Sequence, residues 1–287
     1  MIDHLEQKGR GKVNFFNDRF KMMSPSILSM IILLLVASLA WYLIHKPPHI
    51  AGDIYPYLTS IDADLIAESW EDGIGGSADT WANLLALRST LKKEDCQTLL
   101  SSIHDLSLLD TDTFNQVIKR LPESSQAEVQ RHLQILLSHP YYEPGHYSFP
   151  CPLNVWLEDS FGADREGGKR THQGTDLFAA EGTPIFSVCS GKIEELGWNR
   201  LGGERVGVRG LDGNYYYYAH LETIASGLEK GMEIKKGQQL GTMGHTGDAL
   251  TTPDHLHFGI QLPNQEWLNP YPFLKAWEIQ ASIGQTK

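Results

Sequence analysis

Cysteine is scarce in this chain: Cys96, Cys151 and Cys189 are the three among 287 residues. No two of them form a C-x-x-C pair or a zinc-ribbon spacing, which argues against a metal site built from thiolates. A Cys151–Cys189 disulfide would suit an exported domain, but buried free thiols are the simpler expectation. Positive charge is also in short supply, with 24 Lys and Arg against 35 Asp and Glu and a formal net charge of −11. The acidic excess is spread along the chain, so nucleic acid, which needs a basic face, is not an expected partner. A neutral or zwitterionic peptide is not excluded.

Long hydrophobic runs are absent apart from one. Residues 24–44 contain no charged side chain, and 27–36 are almost wholly aliphatic. About 20 such residues span a bilayer as a helix. Lys8, Arg10, Lys12, Arg19 and Lys21 stand ahead of the run, while Lys46 and a pair of prolines follow it. The positive-inside rule then leaves residues 1–23 in the cytoplasm and everything after the span outside. Ser38-Leu39-Ala40 offers the alternative of a cleaved signal peptide. The apolar run continues past it to Ile44, and the leading segment is long, which favours an uncleaved, single-pass anchor in the plasma (inner) membrane at 24–45.

Residues 46–60, with Pro47, Pro48, Gly52 and Pro56, read as a linker. Residues 61–140 then carry four apolar stripes at helical spacing: Trp81, Leu84, Leu85 and Leu91; Cys96, Leu99, Leu100 and Ile103; Phe114, Val117, Ile118 and Leu121; Val129, Leu133, Leu136 and Leu137. They suit a small membrane-proximal bundle, a spacer first and a protein-docking surface second. The texture changes after His139-Pro140. From about 150 to 275, glycine, β-branched and aromatic residues dominate. Short runs at 185–188, 206–209, 215–220 and 256–262 read as strands, and Asp212-Gly213-Asn214 as a hairpin turn. The fold class is mainly β, an antiparallel sheet domain preceded by a helical region, with 276–287 left as a tail.

Five of the 12 histidines fall in this β region: His172, His220, His245, His255 and His257. His172 and Asp176 are separated by three residues, and His255 and His257 by one. Even spacing in an extended chain turns side chains to one face, so each couple can reach one ion. Two imidazoles and a carboxylate suit a catalytic zinc, which keeps three protein ligands and an open position. Spacing alone does not choose between His255 and His257. His245, in a glycine-flanked loop, reads as an exposed turn residue.

The pattern His172-x-x-x-Asp176 followed by His255-x-His257 resembles the lysostaphin/LytM-type zinc endopeptidases. Gly182-Thr183-Pro184-Ile185, Gly191-Lys192-Ile193, Gly197-Trp198-Asn199, Tyr218-Ala219-His220-Leu221 and Gly241-x-x-Gly244-x-Thr246-Gly247 extend the likeness over about 160–274. The resemblance implies a LytM-like domain holding one Zn2+ through His172, Asp176 and His257. His220 and His255 would stand beside the ion and serve proton transfer and oxyanion stabilisation while an activated water attacks a peptide bond of peptidoglycan. The family also contains degenerate, non-catalytic modules that regulate or scaffold other wall proteins. Some relatives place an aromatic donor shortly before the first ligand; residues 164–171 contain none. By the alternation of a regular strand, Tyr216 and Tyr218 share the face of His220, so Tyr218 is an expected substrate contact.

Overall fold

A computed structural model describes residues 54–285 apart from Pro144. The expected anchor at 24–45 and the first part of the expected linker lie outside the described residues. No helix among those described is long and apolar enough to cross a membrane.

Helices come first: α1 (Ile54–Ser60), α2 (Ala63–Asp72), α3 (Thr80–Thr90), α4 (Lys93–Leu100), α5 (Thr111–Ile118) and α6 (Glu123–Ser138). Aspartate side chains cap two of them. The Asp62 carboxylate accepts from Asp64 N, and that of Asp110 from Thr113 N, both at 2.8 Å. These bonds satisfy amides that a helix start leaves open. Trp81, Ala82, Leu84, Leu85, Ala86 and Leu87 are all buried, so α3 is enclosed by its neighbours rather than amphipathic. It packs on α2 and α6. The stripes Cys96-Leu99-Leu100 and Phe114-Val117-Ile118 point inward, whereas Leu137 is exposed because α6 buries Val129, His132, Ile135 and Leu136.

Both ends of the expected organisation need correction. Residues 54–60 form α1, with Tyr55, Tyr57 and Leu58 buried, where a linker was expected. The expected tail is largely helix: α7 (Tyr271–Gln285) buries Phe273, Leu274, Ala276 and Trp277. The helical region is also no detached spacer. Trp70 Nε1 donates to the Tyr142 carbonyl and Trp277 Nε1 to the Tyr141 carbonyl, each at 2.8 Å. Tyr142 in turn donates to the Leu58 carbonyl at 2.6 Å. One apolar core runs through helices and sheet alike.

The strands are β1 (Trp156–Glu158), β2 (Asp164–Arg165), β3 (Arg170–Thr171), β4 (Thr175–Phe178), β5 (Pro184–Phe186), β6 (Gly191–Asn199), β7 (Gly203–Gly210), β8 (Tyr215–Ile224), β9 (Glu233–Ile234), β10 (Gln239–Met243), β11 (His255–Gln261) and β12 (Trp267–Leu268). The main sheet runs β1-β4-β11-β8-β7-β6-β9, with β10 joining β5 to β8 and β12 beside β11; β2 and β3 form a separate hairpin. Every pairing is antiparallel, in keeping with the expected fold class. One face carries Leu177, Val206, Val208, Tyr216, Tyr218, Leu256, Phe258 and Ile260, all fully buried. Trp277 reaches Phe258 and Tyr147 reaches Tyr216, each with ring centroids 6.4 Å apart. The opposite face stays open as a groove.

Because Trp277 is 1% exposed and touches both the sheet and the 141–147 segment, Trp277→Ala should destabilise the protein by about 3–5 kcal/mol. Urea unfolding followed by far-UV circular dichroism and tryptophan fluorescence should show one coincident transition for residues 54–285. Two separated transitions would contradict a shared core.

Candidate metal centre

Strand register assembles the centre of the groove. Asp176 on β4 stands opposite His257 on β11, and His257 stands opposite Ala219 on β8. His255 lies two residues back on the same face, opposite Phe178, while Leu256 between the histidines is fully buried in the core. His172 arrives from the connection between β3 and β4. A Cβ on Gly174 would stand 2.5 Å from the His257 ring, so only glycine lets this connection lie flat against that imidazole.

Three donor atoms converge. His172 Nε2 lies 2.8 Å from His257 Nδ1 and 3.1 Å from Asp176 Oδ1, and His257 Nδ1 lies 3.3 Å from the same oxygen. Two donors each about 2.0–2.1 Å from one zinc, at a tetrahedral angle, stand roughly 3.3 Å apart. These three residues form one of two groups among the described residues close enough to share an ion. His255 Nε2 is further away, 3.9 Å from Asp176 Oδ1. The choice that spacing left open is therefore made by geometry: His257 joins His172 and Asp176, and His255 stands beside them. The second group, Glu181, His245 and Asp254, lies at the surface, where His245 Nδ1 is 2.7 Å from Asp254 Oδ1.

The chemistry of the donors fits a cation. Nδ1 of His172, of His220 and of His255 each lies 2.8 Å from a backbone carbonyl, of Ser160, Thr246 and Pro253 respectively. A carbonyl only accepts, so each Nδ1 carries a proton, and in the neutral ring Nε2 is the lone-pair donor. Burial, followed by the neighbouring His257 and His255, pushes His220 down to about 3. Burial likewise holds His257 below its ordinary value. Burial alone would raise Asp176, but the two imidazoles beside it, of His172 and His257, hold its carboxyl well below the usual range. An ionised Asp176 carboxylate beside a His257 imidazole held back from protonation suits metal ligation, which requires deprotonated ligands.

His220 reaches the groove by a device that alternation does not foresee. Val206 pairs with Tyr218 and Glu204 with Leu221, so Ala219 and His220 together face the single residue Arg205. This is a β-bulge. His220 takes φ 63°, a left-handed conformation that costs a non-glycine residue about 1–2 kcal/mol. It is fixed by the bond from His220 N to the Gly202 carbonyl at 2.7 Å and by the ring's bond to Thr246. The extra residue inverts the parity of the strand. Tyr216 and Tyr218 face the core, and Tyr215 and Tyr217 face the groove. Tyr218 is fully buried, its hydroxyl accepting from Val188 N at 2.9 Å, which removes it as an expected substrate contact.

The groove has a volume of about 890 Å³. Beside the expected histidines it is lined by Tyr217, Trp267, Gln261, Arg165 and Arg170, which sequence reasoning missed. The Tyr217 ring stands edge-on to His257, centroids 5.9 Å apart, and to Trp267 at 6.2 Å. The signal for Tyr217 was present in its strand once a bulge is allowed before Leu221. The two arginines flank the Gly167-Gly168 pair, a hairpin signal that went unused. Cys96, Cys151 and Cys189 are buried and free.

The segment that carries this geometry is similar to known proteins. The profile described as Peptidase family M23 matches residues 170–270. An L-Ala–D-Glu endopeptidase of Bacillus subtilis (strain 168) is 37% identical over 161 residues, 52% of this chain and 49% of that protein. The crystallised catalytic domain of lysostaphin from Staphylococcus simulans is 35% identical over 42% of this chain and 93% of that domain, with a TM-score of 0.38. The murein hydrolase activator NlpD of Salmonella dublin is 28% identical over 135 residues, 44% of this chain and 33% of that protein. The chain spans about half the length of the Bacillus relative and about a third of the Salmonella one. The matched segment, residues 170–270, carries all five histidine and aspartate positions of the centre and is a domain of the Peptidase family M23 type.

Proposed function

We propose that this protein is a zinc-dependent endopeptidase that hydrolyses peptide bonds in the stem peptides or cross-links of bacterial peptidoglycan. The observation that carries the proposal is the convergence of His172 Nε2, His257 Nδ1 and Asp176 Oδ1 within 3.3 Å of one another. These three residues would hold the ion. Zinc, when bound, supplies Lewis acidity toward a carbonyl and acidifies water.

The remaining steps belong to the chain's own groups. His220 and His255 lie with ring centroids 4.9 Å apart, each clamped through Nδ1 to the main chain. Their free Nε2 atoms can take a proton from the attacking water and return one to the departing amine. Burial keeps the His220 ring neutral, so it can accept a proton without first losing one. Tyr217 and Trp267 give the substrate an aromatic wall beside the ligands, and Gln261 offers amide hydrogen bonds to an extended peptide. The name of the Bacillus relative supports a stem-peptide bond over a glycine bridge.

The rival reading, a non-catalytic module that activates or scaffolds other wall proteins, draws on the name of the Salmonella relative. The full set of three ligands and two flanking histidines weighs against it. As part of the same proposal, the segment 24–45 anchors the chain in the plasma membrane with the peptidase domain on the extracytoplasmic side. Residues 61–140 are offered as a surface for a protein partner.

His257→Ala should lose both bound zinc, measured by elemental analysis, and release of peptide fragments from purified wall, followed by mass spectrometry; retained cleavage would sink the ligand assignment. His220→Ala should keep the zinc and slow turnover by about 10²- to 10⁴-fold. Tyr218→Phe should leave kcat/KM unchanged and lower stability by about 1 kcal/mol for the lost hydrogen bond, whereas Tyr217→Ala should reduce kcat/KM; the opposite pattern would restore Tyr218 to the groove. A topology reporter fused after Lys287 should give an extracytoplasmic signal, and a cytoplasmic one would overturn the placement.

A further inference from the structure

The hairpin of β2 and β3 sets two arginines directly opposite each other, Arg165 and Arg170. Opposed residues of an antiparallel pair project to the same side, where like charges repel. Glu166, Gly167 and Gly168 follow one another in left-handed conformation, with φ 52°, 67° and 83°, so the turn that holds the arginines together is a committed geometry. Each guanidinium is met by a carboxylate from a different wall of the groove. Arg170 pairs with Asp248 across the groove and with Glu166 in its own turn. Arg165 Nη2 donates to Asp176 Oδ2 at 2.9 Å.

The second contact divides the Asp176 carboxylate. Its Oδ1 faces His172 and His257 at 3.1 and 3.3 Å, while its Oδ2 is held by the guanidinium. The Asp176 side chain is 8% exposed and that of Arg165 is 34% exposed, so the charge-assisted bond is largely shielded from water on the carboxylate side and is strong for its kind. A free carboxylate can ligate a metal through one oxygen or both. One whose second oxygen already accepts from a guanidinium is committed to the first.

We infer that Arg165 is a positioning residue for the metal centre: it holds Asp176 to single-oxygen ligation and so keeps the centre at three protein donor atoms. The same hairpin joins the two sides of the site. Arg165 reaches the ligand wall, and Arg170 reaches Asp248, two residues beyond the Thr246 carbonyl that anchors His220. The inference rests on the zinc reading above and adds to it a residue outside the metal-binding pattern.

The test uses the whole chain, stripped of metal and reloaded either with zinc, against a chromogenic chelator, or with cobalt(II), whose visible absorption weakens as coordination rises above four. Arg165→Met should bind zinc about 10- to 100-fold more weakly, the usual effect of removing a ligand's hydrogen-bond partner. Its cobalt(II) spectrum should lose intensity as Oδ2 is released to the metal. Arg165→Lys, which restores the charge without the planar fork, should recover part of the affinity. Arg170→Gln removes the other arginine without touching Asp176 and should keep the parental cobalt spectrum. Should Arg165→Met fail to fold by circular dichroism, Arg165→Gln replaces it with the same expected outcome. An Arg165 variant with parental zinc affinity and spectrum overturns the inference, as does an Arg170→Gln spectrum altered as much as that of Arg165→Met. If the unaltered chain takes up neither metal, it is the zinc reading itself that fails.

Discussion

The register of three neighbouring strands is the constraint on which the centre depends. β4, β11 and β8 set Asp176, His257 and Ala219 in one row across the sheet. A slip of one residue would turn every side chain of a strand to the other face. What pins the register is the buried face: Leu177, Leu256, Phe258 and Tyr218 fill the core from these same three strands. Chemistry on one side of the sheet is held by packing on the other. The bulge before Leu221 then adds a histidine to the groove without disturbing that packing, because the strand regains its pairing with Glu204 directly afterwards.

The packing side is itself tied to the helical region by polar groups. The Asp212 carboxylate accepts from the hydroxyls of Tyr147 and Tyr216 at 2.9 and 2.5 Å and from the amide and side chain of Asn214 at 3.0 and 3.1 Å. Asn214 also contacts the Tyr141 hydroxyl, which lies 3.2 Å from that of Tyr55. A carboxylate with four donors is well satisfied, and such a network specifies one arrangement where an all-apolar seam would tolerate several. Burial pushes Tyr141, Tyr216 and Tyr147 upward, so all three hydroxyls stay protonated and able to donate. The tip of the β7–β8 hairpin is thus docked onto the segment that leads out of α6.

The cluster of His172, Asp176 and His257 was legible because its information is local: a histidine and an aspartate a few residues apart, and two histidines on one strand. The sheet class was legible from short β-branched and aromatic runs punctuated by glycine. Tyr218 was misplaced because alternation assumes a regular strand, and the left-handed backbone of His220 breaks it through contacts with Gly202 and Thr246 that are distant in sequence or unsignalled by residue type. Residues 276–285 of helix α7 were read as a tail because the partners of Trp277, Tyr141 and Tyr147, lie far back in the chain. Arg165 was passed over since a charged residue in a glycine-rich turn ordinarily points to water. Only the fold brings Asp176 to it.

The imidazoles of His172, His220 and His255 are braced by the carbonyls of Ser160, Thr246 and Pro253, groups that every amino acid possesses. Replacement of those three side chains leaves the acceptors where they are. The brace can therefore survive drift in the loops that shape the groove, as long as their backbone paths persist. Loop sequences around such a centre are free to diversify while the orientation of its histidines is inherited unchanged.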